Sequence, residues 1–405
     1  MHPTSEYNVA SLKRSRLATQ AIFLVCGFGI STWAPMVPYT RDRLGLTDAY
    51  IGLLLLCLGA GAIVMMPLTG WLIGKLGSRR VILGASLLMA LSLPLLLVMP
   101  TPVRMALMLF IFGAGVGSVD VAMNAHGVQV QNLATKPIMS SLHGLFSVGG
   151  LCGPLAIGLS IKAGLLPLAA ACLVSAFLLT IVLIAYRYLL EASVEKDTVR
   201  QLTDAAAAQT TGLVAWLNPA VLRLGFMCFA VFLSEGAVLD WSAIYLRDYR
   251  HVEDALTGVG YAFFSIAMAG MRLVGDRLVA NVSRNVIVVG GCGLSVAGFL
   301  LIIATPWLAT TLAGFVLVGL GAANIVPVFF SEAGSLKQVS PTVAISAITT
   351  LGYAGQLAGP ALLGFIAQQT TLSVALGCTA SLLALVGLSY FVKKNQPTHS
   401  QQDYA

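Results

Sequence analysis

Asp120 is an acidic residue within an apolar run that begins near Met105, and Asn124 follows it by four residues. That spacing puts both side chains on one face of a helix. A carboxylate in the apolar core of a membrane costs about 2.5–3.5 kcal/mol on insertion scales, so such residues usually serve a function. Asp120 could instead be hydrated near the membrane surface or form a structural pair. We interpret Asp120 and Asn124 as candidates for proton coupling and substrate binding.

Three further titratable residues could do the same chemistry. Glu235 lies near the middle of the apolar segment 221–246, where low dielectric favours the neutral acid and makes proton exchange possible; a structural hydrogen bond is the alternative. Asp240 could be a charge at an outer gate or a solvated residue near a helix end. His143 could relay protons or bond a helix end. No second histidine stands at metal-ligand spacing, so we expect no metal site.

Four uncharged residues are possible contacts for a substrate. Trp33 and Trp241 could anchor at the membrane interface, as tryptophan commonly does, or stack on a sugar ring. Asn324 and Gln356 could bind hydroxyl or amide groups of a substrate, or bond neighbouring helices.

The composition requires a membrane to surround these residues. Hydrophobic residues make up 58% of the 405 residues and charged residues only 10%, whereas a soluble protein carries about 25% charge. The net charge of +7 comes from basic residues at helix ends rather than from a patch, so nucleic acid is not an expected partner. All seven cysteines fall inside apolar runs without a close CxxC pair, which predicts neither disulfides nor zinc.

The apolar runs predict twelve membrane-spanning helices of about 20 residues each. They are residues 17–39, 50–73, 80–99, 103–126, 138–161, 166–188, 221–246, 256–278, 285–304, 308–330, 343–367 and 371–392. With the N-terminus inside, 17 of the 23 Lys and Arg residues fall on the cytoplasmic side. The sequence therefore predicts a multi-pass membrane protein with both termini in the cytoplasm.

The predicted organisation is two six-helix bundles with polar connections. The segments are a cytoplasmic tail 1–16, a bundle 17–188, a polar linker 189–220, a bundle 221–392 and a cytoplasmic tail 393–405. The halves repeat: G-x-x-x-G-P-x-x-x-G occurs twice at an offset of 206 residues (359 − 153). Its residues are Gly149, Gly153, Pro154, Gly158, Gly355, Gly359, Pro360 and Gly364. Parallel repeats of this kind place a substrate site near the midplane, between the halves.

The chain resembles the Major Facilitator Superfamily of secondary transporters over nearly its whole length. Residues GWLIGKLGSRR resemble the G-x-x-x-D-R-x-G-R-R signature, except that Gly74 stands in place of the acid. The resemblance implies a cytoplasmic gate at two related loops, whose residues are Gly70, Lys75, Gly77, Arg79, Arg80, Arg272 and Asp276. Neither Gly74 nor its counterpart at the 206-residue offset, Ala280, can supply the acid of the usual charge lock, which leaves that lock open to question; Asp276, four residues before Ala280, could partly substitute. Arg272 could pair with an acid or extend its charge towards the membrane surface.

GSVDVAMN is also similar to a helix of the fucose–proton symporter group, and SLHGLFSVGG to uncharacterised bacterial inner-membrane members. This resemblance implies an all-α transporter that moves a small polar solute by alternating access. Its energy source would be the proton gradient, with no other cofactor; its partners would be a small-molecule substrate and the lipid bilayer, and it would act as a monomer.

Three other classes remain open. A multidrug or metabolite efflux antiporter shares the fold, and the G-x-x-x-G-P-x-x-x-G motif favours it. An enzyme needs a nucleophile–base set or a metal cluster, neither of which is found. A receptor or scaffold on this fold would tolerate loss of Asp120 and Glu235.

Overall fold

The computed structural model describes residues 9–46, 48–134, 136–195, 213–252 and 258–395. Most of the linker (196–212) and both outer ends (1–8 and 396–405) therefore lie outside the described residues, and their predicted roles stay predictions. The regular structure of the described residues is helical.

Twelve long helices follow one another along the described chain, with α10 in two segments. They are α1 (Val9–Thr32), α2 (Asp48–Leu76), α3 (Ser78–Leu95), α4 (Pro102–Ala134), α5 (Met139–Lys162), α6 (Pro167–Tyr186), α7 (Pro219–Arg250), α8 (Val259–Asn281), α9 (Arg284–Ala304), α10 (Leu308–Ala322 and Ile325–Ala333), α11 (Pro341–Gln369) and α12 (Leu372–Asn395). Short helical segments at Ala34–Met36, Val37–Leu44 and Leu213–Trp216 stay unlabelled.

Ten of the described helices are long and apolar enough to cross a membrane. The other two, α8 and α11, have 23 and 29 residues. At about 1.5 Å per residue both exceed the roughly 30 Å of a bilayer core. The all-α membrane fold predicted from the sequence is confirmed, and these helices account for the twelve predicted spans.

Most predicted helix bounds agree with the structure to within a few residues, but the first span was placed wrongly. The helix runs over Val9–Thr32, and the chain then turns through Ala34–Met36. Pro35 explains the stop, because proline has no N–H for the helix ladder and its ring clashes with the preceding turn. The fourth helix extends to Ala134, well beyond the predicted end at 126.

The predicted tenth span is interrupted at Ala323 and Asn324. Pro327 lies four residues after Ala323 and cannot donate to its carbonyl oxygen. Arg272 of α8 donates its Nε–H to that oxygen instead, at 3.1 Å. Side chains commonly satisfy backbone groups where a membrane helix is broken.

Glycines pack the helices in the same way in the two halves of the chain. A Cβ added to Gly113 of α4 would overlap the carbonyl oxygen of Leu58 on α2. A Cβ added to Gly319 of α10 would overlap the carbonyl oxygen of Phe264 on α8. Both members of the second pair lie 206 residues after those of the first (319 − 113 and 264 − 58). Small residues allow such close approach of helices in membranes.

A second glycine pair repeats at the same offset. Gly115 abuts the backbone of Met89 on α3, and Gly321 abuts the backbone of Ser295 on α9. These partners are again 206 residues apart (295 − 89). The internal repeat is therefore visible in the contacts of each half.

The first glycine of the G-x-x-x-G-P-x-x-x-G motif packs against a helix backbone in both copies, and the second glycine does so in the first copy, where a Cβ at Gly153 would overlap the carbonyl oxygen of Phe28. A Cβ at Gly149 of α5 would overlap the carbonyl oxygen of Leu24 on α1, and one at Gly355 of α11 would overlap that of Phe229 on α7. Gly158 has no atom within 4 Å of such a Cβ, so it takes no part in this packing.

The chain divides into two compact units. One combines Met1–Phe226 with Phe329–Ala354, and the other combines Met227–Val328 with Gly355–Ala405. The first unit thus includes the end of α10 and the start of α11, which the repeat assigns to the second half. The bundle bounds at 188 and 221 describe the internal repeat, whereas the compact units have other bounds. Those bundle bounds therefore remain predictions.

Candidate functional site

Asp120 lies in the middle of α4 and is 7% exposed. The side-chain amide of Asn124 donates to the Asp120 backbone oxygen at 2.9 Å and to its Oδ1 at 3.4 Å. No ion pair of Asp120 occurs within the described ranges of the chain. Asp120 is thus a buried carboxyl group whose hydrogen bonds come from its own helix.

Two groups from other helices of the same unit lie within electrostatic range of Asp120. They are the thiol of Cys26 on α1 and the phenol of Tyr353 on α11. Sequence reasoning selected neither of them. Cysteine and tyrosine are common inside apolar helices, and nothing in their spacing relates them to position 120.

His143 lies on α5 between two aromatic rings. Its ring centroid is 5.4 Å from that of Phe23 on α1 and 5.5 Å from that of Phe330 on α10. The side chain is buried. His143 therefore joins three helices of the first unit through ring contacts.

Glu235 of α7 forms a buried ion pair in the second unit. Its Oε1 is 3.2 Å from an NH2 nitrogen of Arg272 on α8, whose side chain is 6% exposed. The same guanidinium binds the Ala323 carbonyl oxygen, so Arg272 connects Glu235 to the interruption of α10. Of the two roles considered for Arg272, the structure shows pairing with an acid.

Asp240 lies one and a half turns after Glu235 and is exposed on α7. Tyr261 of α8 is within electrostatic range of Asp240, Glu235 and Arg272. The second unit thus gathers acidic, basic and phenolic groups from α7 and α8.

Several buried polar atoms have no hydrogen-bond partner among the described residues. In the first unit these include Trp33 Nε1 and Asn124 Oδ1, and in the second unit Trp241 Nε1 and Asn324 Oδ1. Trp33 is only 5% exposed, so its ring is inside the protein rather than at the lipid surface. Gln356 lies on α11 with its backbone and side chain facing Gly236 of α7.

The end of α2, the turn at Gly77 and the start of α3 carry most of the predicted gate residues. Lys75 Nζ sits 3.9 Å from the ring centroid of Trp71. Gly70 lies against Ser346 of α11, whose hydroxyl donates to the Met66 carbonyl oxygen at 2.6 Å. The last turns of α2, which carry predicted gate residues, therefore contact α11 within the first unit.

Sequence reasoning missed a second polar cluster beside this loop. Glu195 of the linker accepts hydrogen bonds from the backbone N–H and the hydroxyl of Ser78. Burial raises the pKa of Glu195, and the two bonds from Ser78 partly oppose that rise. Only one feature of the sequence could have indicated this contact, namely that the acids Glu191 and Glu195 are opposite in charge to the basic residues around Arg79. These acids follow Arg79 by 112 and 116 residues.

Residues 21–343 match the family model of the Major Facilitator Superfamily. An uncharacterized MFS-type transporter of Yersinia pestis is 42% identical over 374 residues, which cover 92% of this chain and 94% of the relative. Among solved structures, the human organic anion transporter MFSD10 aligns with a TM-score of 0.72 at 17% identity, covering 94% of this chain and 99% of its own.

The E. coli fucose:proton symporter FucP aligns with a TM-score of 0.71 at 14% identity, covering 93% of this chain and 98% of its own. At such identities the two structures establish the fold alone. The family model and the bacterial relative go further, and by them this multi-pass membrane protein belongs to the Major Facilitator Superfamily of transporters.

Proposed function

We propose that the protein is a secondary active transporter that couples movement of a small polar solute to protons by alternating access. It works as a monomer in the bacterial inner membrane, with both termini in the cytoplasm. The observation that carries the proposal is Asp120, a buried carboxyl group on α4 with no ion pair among the described residues.

Asp120 supports proton coupling because its charge is not compensated. A carboxylate in such surroundings is costly, and taking up a proton removes the cost. A solute that binds the neutral acid more tightly must increase proton affinity by the same coupling free energy. Tyr353, from another helix, lies within electrostatic range of this group.

The unpartnered polar atoms support a solute that carries both donors and acceptors. Trp33 Nε1 is a buried donor and Asn124 Oδ1 a buried acceptor in the unit that contains Asp120. Buried polar groups normally have partners, and a bound molecule can supply them. Hydroxyl groups can satisfy both kinds of atom, and the printed names of FucP and MFSD10 are compatible with sugars or organic anions.

Alternating access is supported by the contacts of α10 and α11 within the first unit. The side-chain amide of Gln131 on α4 donates to the hydroxyl of Ser331 at 3.0 Å. Ser346 bonds the carbonyl oxygen of Met66. Such bonds exchange with water at modest net cost, so the contacts suit a gate that opens and closes.

The test begins with a ligand screen on purified protein by thermal stabilisation. A binder stabilises by RT ln(1 + [L]/Kd), so sugars, organic anions and lipophilic drugs are compared at high concentration. The binder is then assayed in proteoliposomes with and without an imposed pH gradient. We expect accumulation of a polar solute with the proton gradient. Export of apolar drugs against proton entry would instead establish the efflux antiporter, and transport unaffected by the gradient would contradict proton coupling.

A further inference from the structure

The linker residues 187–195, here named the strap, are bound to the first unit rather than standing clear of it. Leu189 and Leu190 are buried, and Glu195 is 7% exposed. A polar segment that follows a membrane helix would normally be solvated. Its burial indicates that specific contacts hold the strap in place.

The first contact caps a helix. The N-terminus of α3 leaves backbone N–H groups unpaired and carries a partial positive charge. Glu195 Oε2 accepts the N–H of Ser78 at 2.9 Å, and Oε1 accepts the Ser78 hydroxyl. The residue before the helix, Gly77, provides no side-chain cap. A carboxyl group distant in sequence thus does the work of a capping residue.

Gly77 also makes room for the strap. Its φ of +81° is one that glycine adopts readily and other residues rarely do. A Cβ at this position would lie 2.6 Å from the Cβ of Ala192. The turn between α2 and α3 therefore needs glycine both for its conformation and for close approach of the strap.

The second contact passes through His126 of α4. Its Nε2 accepts the backbone N–H of Leu190 at 2.9 Å, which leaves Nδ1 to carry the proton of the neutral ring. Nδ1 then donates to the Thr19 hydroxyl of α1 at 3.0 Å, and that hydroxyl donates to the Ser15 carbonyl oxygen. One buried imidazole joins the strap to two helices.

The third contact is ionic and aromatic. The guanidinium of Arg79 lies 4.4 Å from the ring centroid of Tyr186, the last residue of α6, and its NH1 is 3.4 Å from Glu191 Oε1. Glu191 is exposed, so this pair adds less than the buried bonds do. Gly74, in the last turn of α2, has no neighbour within 4 Å of an added Cβ and has no charge of its own.

We propose that the strap is a latch that fixes the ends of α1, α3, α4 and α6 to one another and supplies the acidic partners of the basic α2–α3 loop. Glu195 is its principal contact and His126 its second. When the latch is attached, these helix ends move together; when it detaches, the turn at Gly77 loses its support, and with it the end of α2, which contacts Ser346 of α11 through Gly70. The latch itself does not depend on the proposed transport function, although its effect on transport would.

Cysteine accessibility tests the latch without a substrate. In a variant with the seven native cysteines replaced, Leu190→Cys is labelled with a maleimide in purified protein. Ser193→Cys, an exposed position of the same strap, is the control for reagent and thiol reactivity. We expect slow labelling at 190 and fast labelling at 193 in the parent. Fast labelling at 190 in the otherwise unchanged protein would overturn the proposal.

Two variants of Glu195 then separate capping from simple packing. Glu195→Ala should speed labelling at 190 about tenfold, because hydrogen bonds with a charged partner are lost and the α3 N–H is left unpaired. Glu195→Gln keeps an acceptor of similar size for the Ser78 N–H, and its amide can donate to the Ser78 hydroxyl, so this variant should retain slow labelling. Unchanged labelling in Glu195→Ala would refute the latch.

Should Glu195→Ala fail to yield folded protein, Ser78→Ala tests the same contact more gently. It removes one of the two donors and keeps the backbone N–H, so a smaller increase in labelling is expected. No increase would count against the latch. Once a transported solute is known, Glu195→Ala should change the transport rate while leaving the solute's stabilising effect in place; a failed transport assay alone would contradict the proposed function and not the latch.

Discussion

Gly113 against Leu58 in the first half has the same arrangement as Gly319 against Phe264 in the second, whereas Asp120 corresponds to Val326 at the same offset of 206 residues (326 − 120). The two halves thus use one set of helix-packing contacts. They differ at the residues that carry charge.

The difference extends to the second unit's ion pair. Glu235 corresponds to Gly29 and Arg272 to Met66 in the first half (235 − 29 and 272 − 66). Each half therefore has buried charge where the other has none. Both halves need the same small residues at the positions where their helices pack. A buried charge is costly, so it is present only where it serves a function.

The charged groups also differ in how they are accommodated. Glu235 has Arg272 at 3.2 Å, whereas Asp120 has Asn124 and, among the described residues, no cationic partner. Because Arg272 offsets the charge of Glu235, we infer that Asp120 is the better candidate for the group that gains and loses a proton. Four changes test this comparison.

Substitutions at the glycines that pack the helices of both halves should give the largest effect. Gly113→Leu and Gly319→Leu should both prevent recovery of monodisperse protein, because each side chain would collide with a backbone carbonyl that cannot move aside. Size-exclusion chromatography of the solubilised variants measures this. Gly290→Leu is the matched control, since nothing lies within 4 Å of a Cβ at that helical glycine. Normal recovery of the Gly113 or Gly319 variant would refute the shared packing.

Asp120→Asn should abolish proton-driven accumulation while leaving folding and solute exchange intact. Asparagine keeps the volume and removes the costly charge. Uptake with and without a pH gradient measures coupling, and counterflow measures exchange. Glu235→Gln is the comparison, and it should affect folding as well as transport. Accumulation that persists in both variants would mean that these carboxyl groups are structural.

The ion pair is tested by a double-mutant cycle. Arg272→Met leaves Glu235 buried without its partner and should cost about 3–5 kcal/mol of stability, as for other buried pairs. Adding Glu235→Gln should recover most of that loss, because the unpaired charge is then gone. Thermal unfolding in detergent follows the series. If the double variant were as unstable as the sum of the two single variants, the residues would not act as a pair.

The smallest effect is expected at Asn124. Asn124→Ala removes the hydrogen bonds to Asp120 and should cost about 0.6 kcal/mol, a typical value for a polar contact inside a membrane protein. A change in the pH at which transport is half-maximal would be more informative than this small change in stability, because that pH reports on Asp120 directly. Asn124→Asp, which places a second acid beside the first, should shift that pH further than the alanine variant does.

The features that could be predicted from the sequence were the membrane helices and the internal repeat, because composition and periodicity determine both. Apolar length indicated the helices, and the glycine spacing indicated the repeat. The sequence did not predict the ending of α1 at Thr32 or the interruption of α10, although Pro35 and Pro327 were both visible. Proline is tolerated in many membrane helices, so only the surrounding structure decides whether one interrupts.

Partners distant in sequence were harder to foresee. For Arg272 the sequence left open whether it pairs with an acid or extends its charge towards the membrane surface, because its contact with Glu235 depends on how two helices rotate against each other. The strap was read only as a polar linker, because its acids form few contacts with neighbours in sequence. His126, inside the stretch that contains Asp120, was overlooked because its partners Thr19 and Leu190 come from other segments.

The interruption of α10 gives this helix a joint. A continuous helix resists bending because each bend strains its ladder of hydrogen bonds, whereas at Ala323 the ladder bond is already replaced by Arg272. The chain passes from one compact unit to the other at Val328, about one turn beyond this joint. The backbone of α10 therefore offers least resistance to bending at Ala323, and the side chain that takes the place of the missing ladder bond is the one that holds Glu235.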